Sequence, residues 1–422
     1  MEVTLSRRPA VDLRFSAPPS KSYTHRALIA AALAAGESRV TRPLDADDTR
    51  LTAGALQRLG VPVDWRDGGI AVTGCGGRLP PGDPVTLDLG NSGTSLRLLT
   101  SVALLSPRPV VLTGNARMLE RPLEPLAEAL CALGGRVTSL GRVGYPPIRV
   151  EGRLQGGAAV VDGSMSSQFI SSILMAAPFA EEDVELSIPD VPASRSYLDV
   201  TADVMQAFGV WIERDGYTRF RVRSGSTYLG REYAVEGDYS SASYFFAVAA
   251  VCGGRVTVDT LNPASAQGDR RFLEALSRMG CRVTAGDGSV TVERSGDLRG
   301  ITIDMSTAPD TVQTLAAVAA VAASPTTITG IGHLKYKESD RVGVTAETLR
   351  RMGAGVTVGS DRMTIEPAPL RGVTVDPQDD HRTAMAFAVL GLGFGGVTIT
   401  DPACVSKSFP GFWDALREAG LL

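Results

Sequence analysis

A helical pattern that ends in an apolar residue and a glycine recurs six times along this chain. The copies are LTAGALQRLG, LEPLAEALCALG, VTADVMQAFG, RRFLEALSRMG, TAETLRRMG and FWDALREAG. Their glycines, Gly60, Gly134, Gly209, Gly280, Gly353 and Gly420, lie 74, 75, 71, 73 and 67 residues apart. A glycine in that place closes a helix by taking the left-handed conformation. A second series runs in step with the first. Six polar segments rich in Ser, Gly and Asp each open an apolar helix of small residues: SKSYTHRALIAAALAAG, GNSGTSLRLLTSVALL, SMSSQFISSILMAAPFA, DYSSASYFFAVAAV, PDTVQTLAAVAAVAA and DDHRTAMAFAVLGLG. With Ser22, Thr94, Ser166, Ser240, Asp310 and His381 as markers, the spacings are 72, 72, 74, 70 and 71 residues. The second series is apolar nearly all round, which predicts burial; the first is amphipathic, which predicts helices covering a core. Short alternating Val, Ile and Thr stretches between them predict strands. The expected fold class is α/β, a sixfold pseudo-repeat of βαβαβ character. The unit is too large for the usual solenoids, and domain size groups it into two globules of three.

Charge and motifs exclude several classes. The net charge is −4, so no global basic field exists for nucleic acid or an anionic membrane, and any anion must be met by a local cluster. The five cysteines are odd in number and scattered, which suits free thiols in a reducing cytoplasm. Neither a C-x-x-C nor an H-E-x-x-H pattern occurs, so no metal site is expected. The N-terminus lacks the apolar segment of a signal peptide, and the apolar runs are too short and interrupted to span a membrane. Gly391–Gly396 matches G-x-G-x-x-G but follows a helix and precedes a strand, the reverse of a dinucleotide site. Only four lysines occur among 42 basic residues: Lys21, Lys335, Lys337 and Lys407. A lysine kept under such pressure toward arginine is a candidate for a role that a planar, permanently charged fork cannot fill. The three histidines, His25, His333 and His381, lie close to basic residues in the same way.

The polar starts of the buried helices are where chemistry is expected. A helix N-terminus offers free N–H groups and partial positive charge, so it suits anions. Capping explains one hydroxyl or carboxylate per helix. It does not explain Lys21, Arg26, Arg97 and Arg382 within a turn or two of those starts, where the dipole disfavours cations. Arg117 and Arg121 bracket Met-Leu-Glu, and Lys335 to Arg341 packs three cations and two carboxylates into seven residues. Together these point to two polyanionic ligands, with Asp310 and Glu338 as candidate acid/base groups.

The motifs PPSKSYTHRALIAAALAAG, LGNSGTSLR, RMLERPLEPLAEAL, MSSQFISSILMAAP, EGDYSSASYFFAVAA, KYKESDR, DDHRTAMAF and DPACVSKSFPGF resemble those of the 5-enolpyruvylshikimate-3-phosphate synthase family, in order and over essentially the whole length. The resemblance implies two globular domains, each of three βαβαββ repeats, with buried helix N-termini facing an interdomain cleft. It implies domains of residues 17–235, mainly on the shikimate 3-phosphate side, and 1–16 plus 236–422, on the phosphoenolpyruvate and acid/base side. The implied activity is transfer of the carboxyvinyl group of phosphoenolpyruvate to the 5-hydroxyl of shikimate 3-phosphate, in the shikimate pathway to chorismate and the aromatic amino acids. Carried over by motif, Lys21 meets both ligands. Ser22, Arg26, Ser166, Ser167, Gln168, Ser194, Tyr197, His333 and Lys337 line shikimate 3-phosphate. Gly93, Arg121, Arg341, Arg382 and Lys407 hold phosphoenolpyruvate. Asp310 takes the proton of the 5-hydroxyl, and Glu338 with Lys21 or Lys407 handles the proton at the phosphoenolpyruvate methylene.

That chemistry needs an acid, a base and fixed cations, and no metal or redox cofactor. The expected product forms through a tetrahedral ketal that expels phosphate. Ser92, Leu98 and His333 stand where better-known bacterial members carry Ala, Pro and Asn, which bears on the donor pocket and on glyphosate, the family's competitive inhibitor. The sister UDP-N-acetylglucosamine transferase is disfavoured because Asn115–Arg121 lacks its reactive cysteine. An RNA-end-binding relative is disfavoured by the acidic balance. A cytoplasmic monomer is expected, with no nucleic-acid or membrane partner.

Overall fold

The computed structural model describes residues 2–66 and 68–422. It divides into two compact units, one of residues 1–18 and 236–422, the other of residues 19–235. Ala17 and Pro18 stay with the first unit because the Ala17 amide bonds to Asp259 and the Pro18 carbonyl accepts from Asp238.

Among the described residues, twelve α-helices alternate between two kinds. The buried series is α1 (Lys21–Leu33), α3 (Gly93–Ala103), α5 (Gln168–Ala176), α7 (Tyr239–Cys252), α9 (Val312–Ala319) and α11 (His381–Phe394). α9 is buried along its whole length, and α1 at every position but Ser22. The covering series is α2 (Asp47–Arg58), α4 (Glu124–Ala132), α6 (Ser196–Ala207), α8 (Arg271–Met279), α10 (Arg341–Met352) and α12 (Phe412–Glu418), each buried on one face. All six glycines that follow these helices have positive φ, from 69° at Gly420 to 112° at Gly280 and Gly353. An L side chain there would be strained, so the recurring glycine is a backbone requirement.

Five of the six sheets among the described residues have one plan. A first strand pairs in parallel with a second, and an antiparallel hairpin is added beside the second, as in Val85–Asp88, Val110–Thr113, Ile148–Gly152 and Gly135–Ser139. The strands on either side of the unit boundaries are exchanged. Val11–Ser16 precedes α1 in sequence but pairs with Gly254–Asp259 of the first unit. Glu232–Ala234 precedes α7 but pairs with Ala35–Thr41 of the second. The chain therefore passes between units twice, and the first unit is not one continuous segment. The sixth sheet differs: Thr374–Val375 and Val397–Ile399 run parallel, and Val3–Leu5 supplies the antiparallel strand.

In the first unit α7, α9 and α11 pack on one another; in the second, α3 lies along α5, and α1 packs on α2 and α6. Small residues let these helices approach, and hydroxyls stitch them at the repeat spacing. Ser101 Oγ meets Ser172 Oγ at 2.7 Å, Gln168 Nε2 donates to Thr94 Oγ1 at 2.9 Å, and Gln313 Nε2 donates to Thr383 Oγ1 at 2.7 Å. Buried hydroxyls that bond one another satisfy the requirement on polar groups in a core. No helix among the described residues is long and apolar enough to cross a membrane, and the five cysteines are free thiols.

Candidate active site

In the unit of residues 19–235 the polar positions gather at the starts of α1, α3 and α5. Lys21 Nζ donates to Asp48 Oδ2 at 2.9 Å, an almost fully buried ion pair between α1 and the first turn of α2. The Asp48 carbonyl accepts from Ser95 Oγ, which also meets Ser92 Oγ at 2.7 Å and Thr52 Oγ1 at 2.8 Å. Thr52 Oγ1 in turn meets His25 Nδ1 at 2.8 Å. This chain ties three helices beneath Lys21, and His25, fully buried, belongs to it.

Arg26 is 1% exposed. Its guanidinium donates to Thr201 Oγ1 at 2.7 Å, to Ser171 Oγ, and to the Ser22 and Tyr197 carbonyls. Those acceptors are neutral. Burial lowers its pKa to about 10, with Tyr197 and Tyr23 opposing, so it stays charged at neutral pH. A buried cation bonded to neutral oxygens leaves net positive charge for an anion.

Arg97 has another task. It donates to Gln168 Oε1 at 3.0 Å and to Ser166 Oγ at 3.3 Å, and lies over the Phe169 ring. It thereby binds the start of α5 to α3, and Gln168 and Ser166 are held by it. Ser167 Oγ is buried with no hydrogen-bond partner among the described residues. Ser194 has φ 58° and is buried, a conformation costly for a non-glycine residue and common where a side chain is aimed at a ligand. Gly93 opens α3, and a Cβ there would stand 2.5 Å from an Arg121 nitrogen. Arg121 thus lies flat on the glycine backbone, 4% exposed.

The unit of residues 1–18 and 236–422 has a different cluster. Asp310 sits in the turn Pro309–Thr311 ahead of α9. Arg341 Nη1 donates to its Oδ1 at 2.9 Å and Arg382 Nη2 to its Oδ2 at 2.7 Å. Arg341 also donates from Nη2 to Glu338 Oε2 at 2.7 Å and from Nε to Asp380 Oδ2 at 2.8 Å. Burial alone would lower the Arg341 pKa, but the carboxylates of Asp380, Glu338 and Asp310 raise it above the ordinary value. Asp380 caps α11 by accepting from the Arg382 amide and takes a further bond from Ser339 Oγ. Arg382 Nη1 reaches the Asp310 carbonyl and the Tyr244 hydroxyl, whose pKa burial pushes up to about 12. His333, in the turn Gly332–Tyr336, is held neutral: burial, then nearby Lys337, lower its pKa to about 3. Lys337 follows that turn, half-buried, and Lys407 ends the turn Pro402–Lys407, buried.

The residues expected from sequence therefore fall in two sets. Lys21, Ser22, Arg26, Gly93, Arg121, Ser166, Ser167, Gln168, Ser194 and Tyr197 belong to the second unit; Asp310, His333, Lys337, Glu338, Arg341, Arg382 and Lys407 belong to the first. Sequence reasoning places Asp380 at the polar start of α11 without giving it a partner, and misses Asp48 and Thr201. Asp48 stands in an acidic run, but nothing in the sequence marks Thr201. Chemically, the second unit offers cations among hydroxyls for anion binding. The first offers carboxylates on guanidinium groups, able to exchange protons.

The family model for EPSP synthase (3-phosphoshikimate 1-carboxyvinyltransferase) matches residues 9–416. A 3-phosphoshikimate 1-carboxyvinyltransferase of Methanoculleus marisnigri is 71% identical over 422 residues, covering 100% of both chains. One from Methanoregula boonei is 60% identical, covering 99% of both. The structure of EPSP synthase from Acinetobacter baumannii superposes with a TM-score of 0.82 at 29% identity, covering 100% of this chain and 98% of that one. The chain belongs to the EPSP synthase family, the shikimate-pathway transferases that move the enolpyruvyl group of phosphoenolpyruvate onto shikimate 3-phosphate.

Proposed function

We propose that the two clusters divide this transfer between them. Lys21, Ser22, Arg26, Ser166, Ser167, Gln168, Ser194 and Tyr197 hold shikimate 3-phosphate, with His333 and Lys337 completing its site. Lys21, Gly93, Arg121, Arg341, Arg382 and Lys407 hold phosphoenolpyruvate. The observation that carries this reading is Asp310, whose two oxygens are each held by an arginine, Arg341 and Arg382. A donor carboxylate arriving on Arg382 would take over part of that grip and leave Asp310 able to accept a proton.

The chemistry then runs in two steps. Phosphoenolpyruvate becomes electrophilic at the enol carbon that bears the phosphate when the methylene is protonated, the work of Glu338 with Lys21 or Lys407. Asp310 removes the proton of the acceptor 5-hydroxyl as its oxygen attacks, and a tetrahedral ketal forms. Loss of a methyl proton then expels phosphate and leaves the enolpyruvyl ether. Positioned acid/base groups contribute about 10²–10⁴-fold each, and preorganised cations stabilise the developing charge. His333 enters as a neutral imidazole, so it acts by hydrogen bonding rather than by charge. The enzyme works as a cytoplasmic monomer, and glyphosate competes with phosphoenolpyruvate.

The test is phosphate release from phosphoenolpyruvate, with and without shikimate 3-phosphate, for wild type and Asp310→Ala. Release that needs both substrates and collapses in the variant supports these roles. Full release in the variant would move the base away from Asp310.

A further inference from the structure

Asp269 is a buried acid that the transfer steps do not use. It lies in the turn Gly268–Arg270 leading into α8 and is 3% exposed. That turn packs against the start of α7 and against the turn that carries Asp310. Asp269 Oδ2 accepts a 2.9 Å hydrogen bond from Ser240 Oγ in the first turn of α7. The charged groups that face it are Asp310 from the turn before α9, Arg382 from the first turn of α11, and Asp238 from the N-cap of α7. Tyr244, farther along α7, meets Arg382 with its hydroxyl.

Around Arg341 and Arg382 carboxylates outnumber guanidinium groups. Arg341 and Arg382 already hold the carboxylates of Asp310, Glu338 and Asp380. Asp269 adds another acid where water is excluded. Like charges packed together in a low-dielectric site do not all ionise, and one acid keeps its proton. Burial, followed by the charge of Asp310, raises Asp269 from an ordinary 3.8 to about 7, against the opposing pull of Arg382.

We propose that Asp269 is a positioning residue for the enolpyruvyl transfer, a buried acid whose proton leaves Arg382 to Asp310 and to the donor's carboxylate. Once ionised, it becomes a second claimant on Arg382 and repels phosphoenolpyruvate. The inference rests on the reading that Arg382 grips the donor.

The experiment measures kcat and both KM values by phosphate release across about pH 5.5 to 9. Wild type is compared with Asp269→Asn, Ser240→Ala and Arg382→Lys. Asparagine is neutral at every pH, and comparing the proteins cancels the titration of phosphoenolpyruvate itself. The expected result is a wild-type KM for phosphoenolpyruvate that rises about tenfold with a midpoint near neutrality, the size of a one-charge effect in a partly shielded site. Asp269→Asn should abolish that rise without a matching change in the KM for shikimate 3-phosphate. Ser240→Ala removes a bond that favours the ionised acid, so it should move the midpoint upward. A rise that persists in Asp269→Asn overturns the proposal. If Asp269→Asn is misfolded by circular dichroism, an unmoved midpoint in Ser240→Ala overturns it instead. An unchanged KM for phosphoenolpyruvate in Arg382→Lys would remove the underlying reading, and the role of Asp269 with it.

Discussion

Arg26 in one unit and Arg341 in the other are buried guanidinium groups in opposite surroundings. Both are almost fully buried. Arg26 donates to hydroxyls and carbonyls. Arg341 donates to three carboxylates, those of Asp310, Glu338 and Asp380. Arg26 lies in the second turn of the buried helix α1 and Arg341 opens the covering helix α10, yet each is buried among polar groups. What differs is the identity of the residues delivered there by the neighbouring elements. In the second unit these are serines and threonines, such as Ser171 and Thr201. In the first they are acids from the turn before α9, from the stretch ahead of α10 and from the cap of α11. On the proposed division, Arg26 keeps positive charge for a phosphate, while Arg341 is neutralised by carboxylates that would pass protons.

The largest expected effect tests whether that division extends to kinetics. Asp310→Asn keeps shape and removes the base, and should lower kcat about 10²- to 10⁴-fold in the phosphate-release assay. A variant that changes only a KM would break the comparison, because the acid-rich unit would then be doing no more than binding.

Next comes Arg26→Met, which keeps the buried stem and removes the charge. Hydrogen bonds to charged groups are worth about 1.5–3 kcal/mol, so kcat/KM for shikimate 3-phosphate should fall roughly 10- to 100-fold. Isothermal titration with shikimate 3-phosphate alone checks it directly. Unweakened binding would mean that Arg26 is a structural strut between α1 and α6 and that the reserve of charge lies elsewhere.

A smaller effect comes from Gly93→Ala. The added methyl would fall 2.5 to 2.6 Å from the Arg121 guanidinium atoms, closer than van der Waals contact allows. The end of a long side chain can move, so folding should survive while Arg121 is displaced. The expected outcome is a KM for phosphoenolpyruvate raised about tenfold, the loss of one partly compensated charge contact. The KM for shikimate 3-phosphate should be unchanged. Equal rises in both would show that Arg121 does not belong to the donor alone.

Much of this architecture is legible in the sequence. The Cʹ glycines and the buried and covering helices follow from local rules, one conformation at Gly60 or Gly280 and one period of apolar residues. The starts of the buried helices can be named as chemical for the same reason, since Lys21 or Arg382 at a positive helix end has no local explanation. What the sequence cannot supply are partners made by packing. Thr201 lies 175 residues from Arg26, and the Ser240–Asp269 bond spans 29 residues. The exchanged strands lie between these cases. Val11–Ser16 and Glu232–Ala234 read alike as strands before buried helices; the family resemblance implies residues 1–16 with 236–422, and the pairing supplies the partner strands. The tie between Asp310 and its two arginines is again made by packing, formed by residues 31 and 72 positions away.

The smallest effect concerns stability and separates the units by their response to acid. Burial and Lys337 hold His333 at a pKa of about 3 against an ordinary 6.5. The unfolded chain therefore binds this proton more readily than the folded one. The contribution of His333 is complete above about pH 6.5 and is lost as pH falls toward 3. At pH 5.5 the loss should already be about 1 kcal/mol. His333→Asn removes the titrating group, so its unfolding free energy from urea titration should fall less between pH 7 and pH 5.5 than that of wild type, by about 1 kcal/mol. The comparison is sharpest if unfolding is followed by a probe in each unit, because His333 lies in the unit of residues 1–18 and 236–422. An acid-induced shift that appears first in the other unit would place the sensitivity outside His333. Equal shifts in wild type and variant would mean that the imidazole finds, on protonation, a carboxylate of its own cluster to pair with. The acid-rich unit would then buffer its own histidine.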